Sequence, residues 1–231
     1  MDSMAFGLVA RVLRRIRTTV DAFDFSTDSE LESMVAVVYH RMVEWFGPPT
    51  DSGRRVKTVR GPFTALGRDR LNREYVLIVS AELSGKDQQL AAIAHEVLHR
   101  VASGHMGLGR ELWVAEMLAL RSEQHILREH GWSPYADALM DAYLRDPCAL
   151  SARELRTAKQ LGNPLRTPFG LRRWPHPLGL TSGAAVLGET LERQVGWSRL
   201  CAMVRCRTLG DWLRTLPSDR LPPVRSVLGL D

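Results

Sequence analysis

From Asp87 to Ala102 the chain has neither glycine nor proline, and Leu90, Ile93, Ala94, Val97, Leu98 and Val101 recur along it at helical spacing. The pattern commits this stretch to an amphipathic helix, with Ser84 as its N-cap and Gly104 as its stop. The polar residues on the helix are just as constrained. His95 and His99 stand at i and i+4, so both imidazoles leave one face about one turn apart, and Glu96 leaves the same turn beside them. Imidazoles at this separation can share one metal ion.

A zinc ion held by two neutral imidazoles and one carboxylate keeps a fourth position for water, and an adjacent glutamate can take that water's proton as it attacks a carbonyl. Glu96 has that place. Two residues compete to be the third ligand. His105 completes HExxHxxAxxH, the spacing of a metzincin-like site, with Ala102 where a glycine would turn the chain back. Glu116 lies on a second helix, read from Arg110 to Glu129, close to the apolar face marked by Trp113, Met117 and Leu120. A carboxylate near a core needs a strong partner, and a metal ion would serve. Because an alanine turns the chain less readily than glycine, Glu116 is the favoured ligand, reached through the loop-like run His105 to Gly109.

With Trp113-Val114-Ala115-Glu116-Met117-Leu118-Ala119 following His95-Glu96-Val97-Leu98-His99, the chain resembles the gluzincin metallopeptidases. These are the thermolysin-like and aminopeptidase-like group of the peptidase MA-like superfamily, whose pattern is HExxH followed by a helix carrying W-x-x-E-x-x-A. The similarity covers about residues 23 to 216, and its specific part is Ala91 to Leu120. The resemblance implies Zn2+ held by His95, His99 and Glu116, with Glu96 as the base for peptide-bond hydrolysis. It also implies an edge strand within Arg73 to Ser80, where Val76, Ile78 and Ser80 would pair with an extended peptide or protein substrate. The late helical region of the family is matched by Thr181 to Leu187 and Arg193 to Leu200.

Two family positions are filled differently. Leu180 stands where a tyrosine helps to stabilise the oxyanion, and Leu120 where an acid orients a zinc-bound histidine. His176, Tyr135, Tyr143, His125 and His130 remain open for the first role, and Glu123 or Asp137 for the second. The glycine-methionine-glutamate signature of the aminopeptidases is absent, so the expected activity is that of an endopeptidase with a restricted substrate. The alternatives are the metzincin-like site through His105, and a gluzincin-type fold that binds or regulates without cleaving.

The remaining sequence predicts an α+β fold. Leu31 to Phe46 reads as a helix closed by Gly47-Pro48-Pro49, and Val56 to Leu66 and Arg73 to Ser80 read as strands. They predict a small mixed or antiparallel sheet packed on the HExxH helix, followed by a mainly helical part. That part is broken by a proline- and glycine-rich connector from Gly162 to Gly179. The division is a basic amphipathic segment over residues 1–22 and one domain over 23–231, with the sheet and active-site helix in 23–104 and the helical part in 105–231.

The net charge of +5 comes with basic clusters at Arg11 to Arg17, Arg54 to Arg60 and Arg166 to Arg173, none interleaved with a stacking or helix-turn-helix motif, so nothing points clearly to nucleic acid. The first cluster, with Leu8, Val9, Val12 and Ile16, suits a helix that docks on its own protein, a partner or an anionic membrane surface. No apolar run approaches the roughly 20 residues of a membrane span and no secretory leader is recognisable, so a cytoplasmic location is expected. Cys148, Cys201 and Cys206 form no disulfide framework or CxxC pair and read as reduced thiols.

Overall fold

The computed structural model describes residues 29–49, 56–61, 64–68, 75–105, 107–158 and 177–230. Helix α1 (Ser29–Phe46) buries Leu31, Val35, Val38, Met42 and Phe46, a single stripe at helical spacing. It ends at Gly47, whose φ of 83° makes the left-handed turn ahead of Pro48 and Pro49. The strands β1 (Val56–Gly61), β2 (Ala65–Arg68) and β3 (Tyr75–Ser80) form a three-stranded sheet in the order β1-β3-β2, with β1 parallel and β2 antiparallel to β3.

This order corrects two expectations. The run Val56 to Leu66 is two strands rather than one, and they do not pair with each other but flank β3. Val76, Ile78 and Ser80 therefore lie on the central strand, not on an edge. Val76 and Ile78 are paired on both sides, while Ser80 pairs with Gly61 and donates its amide to Thr64 Oγ1 at 3.1 Å. A substrate strand finds no free backbone there. All of β3 is buried, as a central strand with two covered faces must be. Leu77 and Val79 enter the main core, whereas Val76 and Ile78 form a separate cluster with Val59 on the other face. The edges are β1 and β2.

Helix α2 (Lys86–Ser103) starts from Gly85 rather than Ser84 and carries Asp87 in its first turn, where a negative charge complements the helix dipole. The fully buried Arg100 lies over the Tyr75 ring at 4.1 Å, joining α2 to β3. A 3-10 turn (Leu108–Arg110) leads into α3 (Leu112–Glu129). This helix is buried on nearly every side, from Trp113 through Leu127. The rest of the described chain is α4 (Ser133–Leu144), α5 (Ala152–Ala158), α6 (Pro177–Val195), α7 (Trp197–Cys201), a 3-10 turn (Ala202–Arg205), α8 (Leu209–Arg214) and α9 (Leu221–Val227). The described residues are thus mostly helical with one small sheet, and α3 packs against α2 on one side and α6 on another.

Pro177 to Gly179, read as the end of the connector, are already helical. The basic segment 1–22, the cluster Arg166 to Arg173 and His176 lie outside the described residues. No helix among the described residues is long and apolar enough to cross a membrane. Cys201 is buried, Cys206 partly buried and Cys148 exposed, all three as free thiols.

A polar network ties α6 to α3. Glu192 accepts from Arg121 Nε at 2.8 Å and pairs with His125 Nε2 at 2.9 Å. Burial alone would raise the Glu192 carboxyl pKa, but His125 and Arg121 outweigh it and hold the group below the ordinary carboxylate value. A depressed folded pKa means that the stabilisation is complete above the unfolded value and is lost as pH falls through the folded one. The wild-type melting temperature should therefore fall more steeply below about pH 4.5 than that of Glu192→Gln. Parallel pH profiles for the two proteins would show that this network contributes no pH-dependent stability.

Candidate metal centre

Helices α2 and α3 bring together residues that are distant in sequence. His99 Nε2 stands 3.4 Å from Glu116 Oε1, His95 Nε2 stands 3.5 Å from Glu116 Oε2, and the two Nε2 atoms are 3.2 Å apart. Zinc bonds of about 2.0–2.1 Å put neighbouring ligand atoms of a tetrahedral site about 3.3–3.4 Å apart. Each imidazole approaches a different oxygen of the one carboxylate, and one donor atom from each of the three residues can be chosen so that all lie within 4.8 Å of one another. No other group of His, Cys, Asp or Glu among the described residues is gathered this closely.

His105 takes no part. Helix α2 continues through Ser103, so the chain does not turn back at Ala102, and His105 Nε2 instead meets the Gly47 carbonyl at 3.3 Å. The metzincin-like arrangement is therefore not formed. Ala102 is buried within the helix, and with no glycine at this position the turn falls at Gly104 and beyond.

The protonation pattern shows what the donor set calls for. Burial works against a charge on His95, but Glu116 and then Glu123 outweigh it and lift its pKa to about 10. Burial lowers His99 to about 4, with Glu116 opposing and His95 adding to the effect. Burial would raise Glu116, yet the two histidines hold it below the ordinary value. Carboxylates that force one imidazole to stay cationic form a pocket that favours a resident cation, and a divalent ion can replace that proton. His95, His99 and Glu116 could together hold a metal ion.

Glu123, two turns beyond Glu116, brings Oε2 to 3.6 Å from His95 Nδ1. Asp137 is engaged elsewhere, accepting from Arg128 at 2.8 Å on the surface. Glu96 lies beside the histidines, its carboxyl raised by burial, with Glu116 adding and His95 and a hydrogen bond from the Leu66 backbone opposing. That bond joins Glu96 to β2, one of the two edge strands.

An open cleft of about 340 Å³ lies over these groups, lined among others by His95, Glu96, Leu120, Glu123, Thr64, Tyr135 and Tyr143. Tyr135 and Tyr143, both read as candidates, are thus at the site. His125 is not: it pairs with Glu192 and stacks on Trp197 with ring centroids 4.3 Å apart. His130 Nδ1 meets the Ile126 carbonyl at the end of α3, and Leu180 is buried in the first turn of α6. Thr64 and Leu66 went unrecognised in the sequence because they were read into one long strand. The Gly61-Pro62 pair was the available signal, since proline interrupts a strand that is paired on both sides.

No family model matches the chain, and neither a curated protein nor a solved structure matches it significantly.

Proposed function

We propose that the chain is a zinc-dependent peptidase of gluzincin type, an endopeptidase acting on a restricted peptide or protein substrate. The observation that carries this reading is the His95, His99 and Glu116 cluster, with His95 and the neighbouring Glu96 lining one open cleft. His95, His99 and Glu116 would hold the ion, and Glu123 would fix the His95 ring by accepting from its Nδ1–H. Zinc bound there would supply a Lewis acid that polarises a carbonyl and lowers the pKa of water. Glu96 takes the proton of the attacking water and returns it to the departing amine. A carboxyl whose pKa burial has raised is better matched to that exchange near neutral pH than an exposed one. The edge strand β2, whose Leu66 amide hydrogen-bonds Glu96, is the natural rail for an extended substrate.

The purified chain should carry about one zinc ion, as the donor set of a single site requires. Glu96→Gln should retain the ion while peptide hydrolysis falls about 10²–10⁴-fold, the usual contribution of a positioned base. A folded chain that takes up no zinc sinks the proposal. A wild-type protein indistinguishable from Glu96→Gln in every assay would favour a fold that binds without cleaving.

A further inference from the structure

We infer that Tyr143 donates the hydrogen bond that stabilises negative charge on the substrate carbonyl oxygen, a role that Leu180 cannot fill; the inference rests on the peptidase reading above. Helix α4 follows α3 through Gly131, whose φ of 83° turns the chain back. The antiparallel register of the two helices is set by Arg128 to Asp137 at 2.8 Å and by Gln124 Nε2 to Met140 Sδ at 3.2 Å. Carried one turn further, this register sets Tyr143 level with Leu120, one turn past Glu116.

Helices α2 and α3 pair His99 with Glu116 and His95 with Glu123, which places Leu120 at the height of His95 and Glu96. Tyr143 consequently stands at the level of His95 and Glu96, and these three residues line the same cleft. Tyr135 lies two turns earlier on α4, about 12 Å nearer the N-terminal end of α2 at a rise of about 1.5 Å per residue. Its place is therefore along the substrate path.

The chemistry agrees with this placement. Leu180 has no donor, and no hydrogen bond among the described residues occupies the Tyr143 hydroxyl. Burial, with Glu123, Tyr135 and Glu116 adding, raises the phenol pKa, so the group stays protonated as a donor at neutral pH. A fixed, partly desolvated O–H directed at developing charge is the arrangement that stabilises an oxyanion most strongly.

The test uses the zinc-loaded full chain and two probes: a phosphinic Phe-Ala pseudodipeptide, whose tetrahedral anion imitates the charge, and a pool of internally quenched peptides. In Tyr143→Phe the phosphinate should bind at least about tenfold more weakly and kcat should fall about 10²-fold, while zinc content and KM stay within about twofold. Tyr143→His, which keeps a donor, should recover part of both losses. A Tyr143→Phe protein with wild-type kcat and phosphinate affinity overturns the inference. So does one that loses zinc or fails to fold, because Tyr143 would then be structural. A zinc-loaded wild type that binds no phosphinate and cleaves no peptide overturns the peptidase reading itself, and this inference with it.

Discussion

Replacing Glu116 by alanine will reduce zinc affinity by more than about 100-fold, whereas His105→Ala will leave it within a few-fold. Loss of an outer partner of a metal ligand costs about 10–100-fold, and Glu116 is placed as a direct ligand, so its loss exceeds that range. The substitution leaves two imidazoles 3.2 Å apart without the carboxylate that completes the cluster. It also removes the contact that holds His95 cationic in the metal-free protein. His105 is a control from the same loop: its ring is spent on the Gly47 carbonyl, and its loss should cost a little stability and no metal. Competition with a calibrated chelator measures both variants. Equal losses in the two proteins, or a loss confined to His105→Ala, would dismantle the assignment.

The second large effect is expected at a residue that touches no ligand. Gly107 links α2 to the 3-10 turn before α3, with φ 89° and ψ −132°, close to a region that only glycine enters without strain. A Cβ there would stand 2.5 Å from the Cys206 carbonyl oxygen and 2.7 Å from Arg207 Cα, both backbone atoms that cannot swing aside. Leu108 N donates to that same Cys206 carbonyl at 3.0 Å, so the close approach is also a fastening point. Strain of about 1–3 kcal/mol and overpacking of about 1–3 kcal/mol give a loss of about 2–6 kcal/mol for Gly107→Ala. Against a total stability of about 5–15 kcal/mol this is a large fraction, and it should lower Tm by about 4–24 °C. Zinc affinity should fall with it, since Glu116 sits one turn into the helix that this loop launches. A variant with wild-type Tm and metal affinity would show that the loop yields without cost.

The residues that make the candidate site were legible because their chemistry depends on helical spacing. The i, i+4 histidines and the Trp113 to Ala119 run report a local period, and a local period survives whatever the rest of the chain does. Glu123 was legible as a candidate because it shares that face of α3. The sheet was harder. Tyr75 to Ser80 is continuously apolar, which suits a strand covered on both faces, yet pairing partners are chosen by tertiary contacts that periodicity does not record. That is why Val76, Ile78 and Ser80 were placed on an edge while Leu66, bonded to Glu96, and Thr64, at the cleft, were not. The choice between His105 and Glu116 turned on whether the helix stopped at Ala102. In the fold it continues to Ser103, an outcome that absence of glycine at position 102 favoured but could not compel.

Helix α3 presents Glu116 from a body that is buried along almost its whole length. On the proposed reading, metal retention and global folding are thermodynamically linked, since an ion that binds only the native arrangement adds its own binding free energy to that arrangement. A core substitution far from the cleft, at Met117 or Leu118 for example, would register first as leakage of the ion at limiting zinc. Free zinc concentration would then set the temperature at which the chain melts.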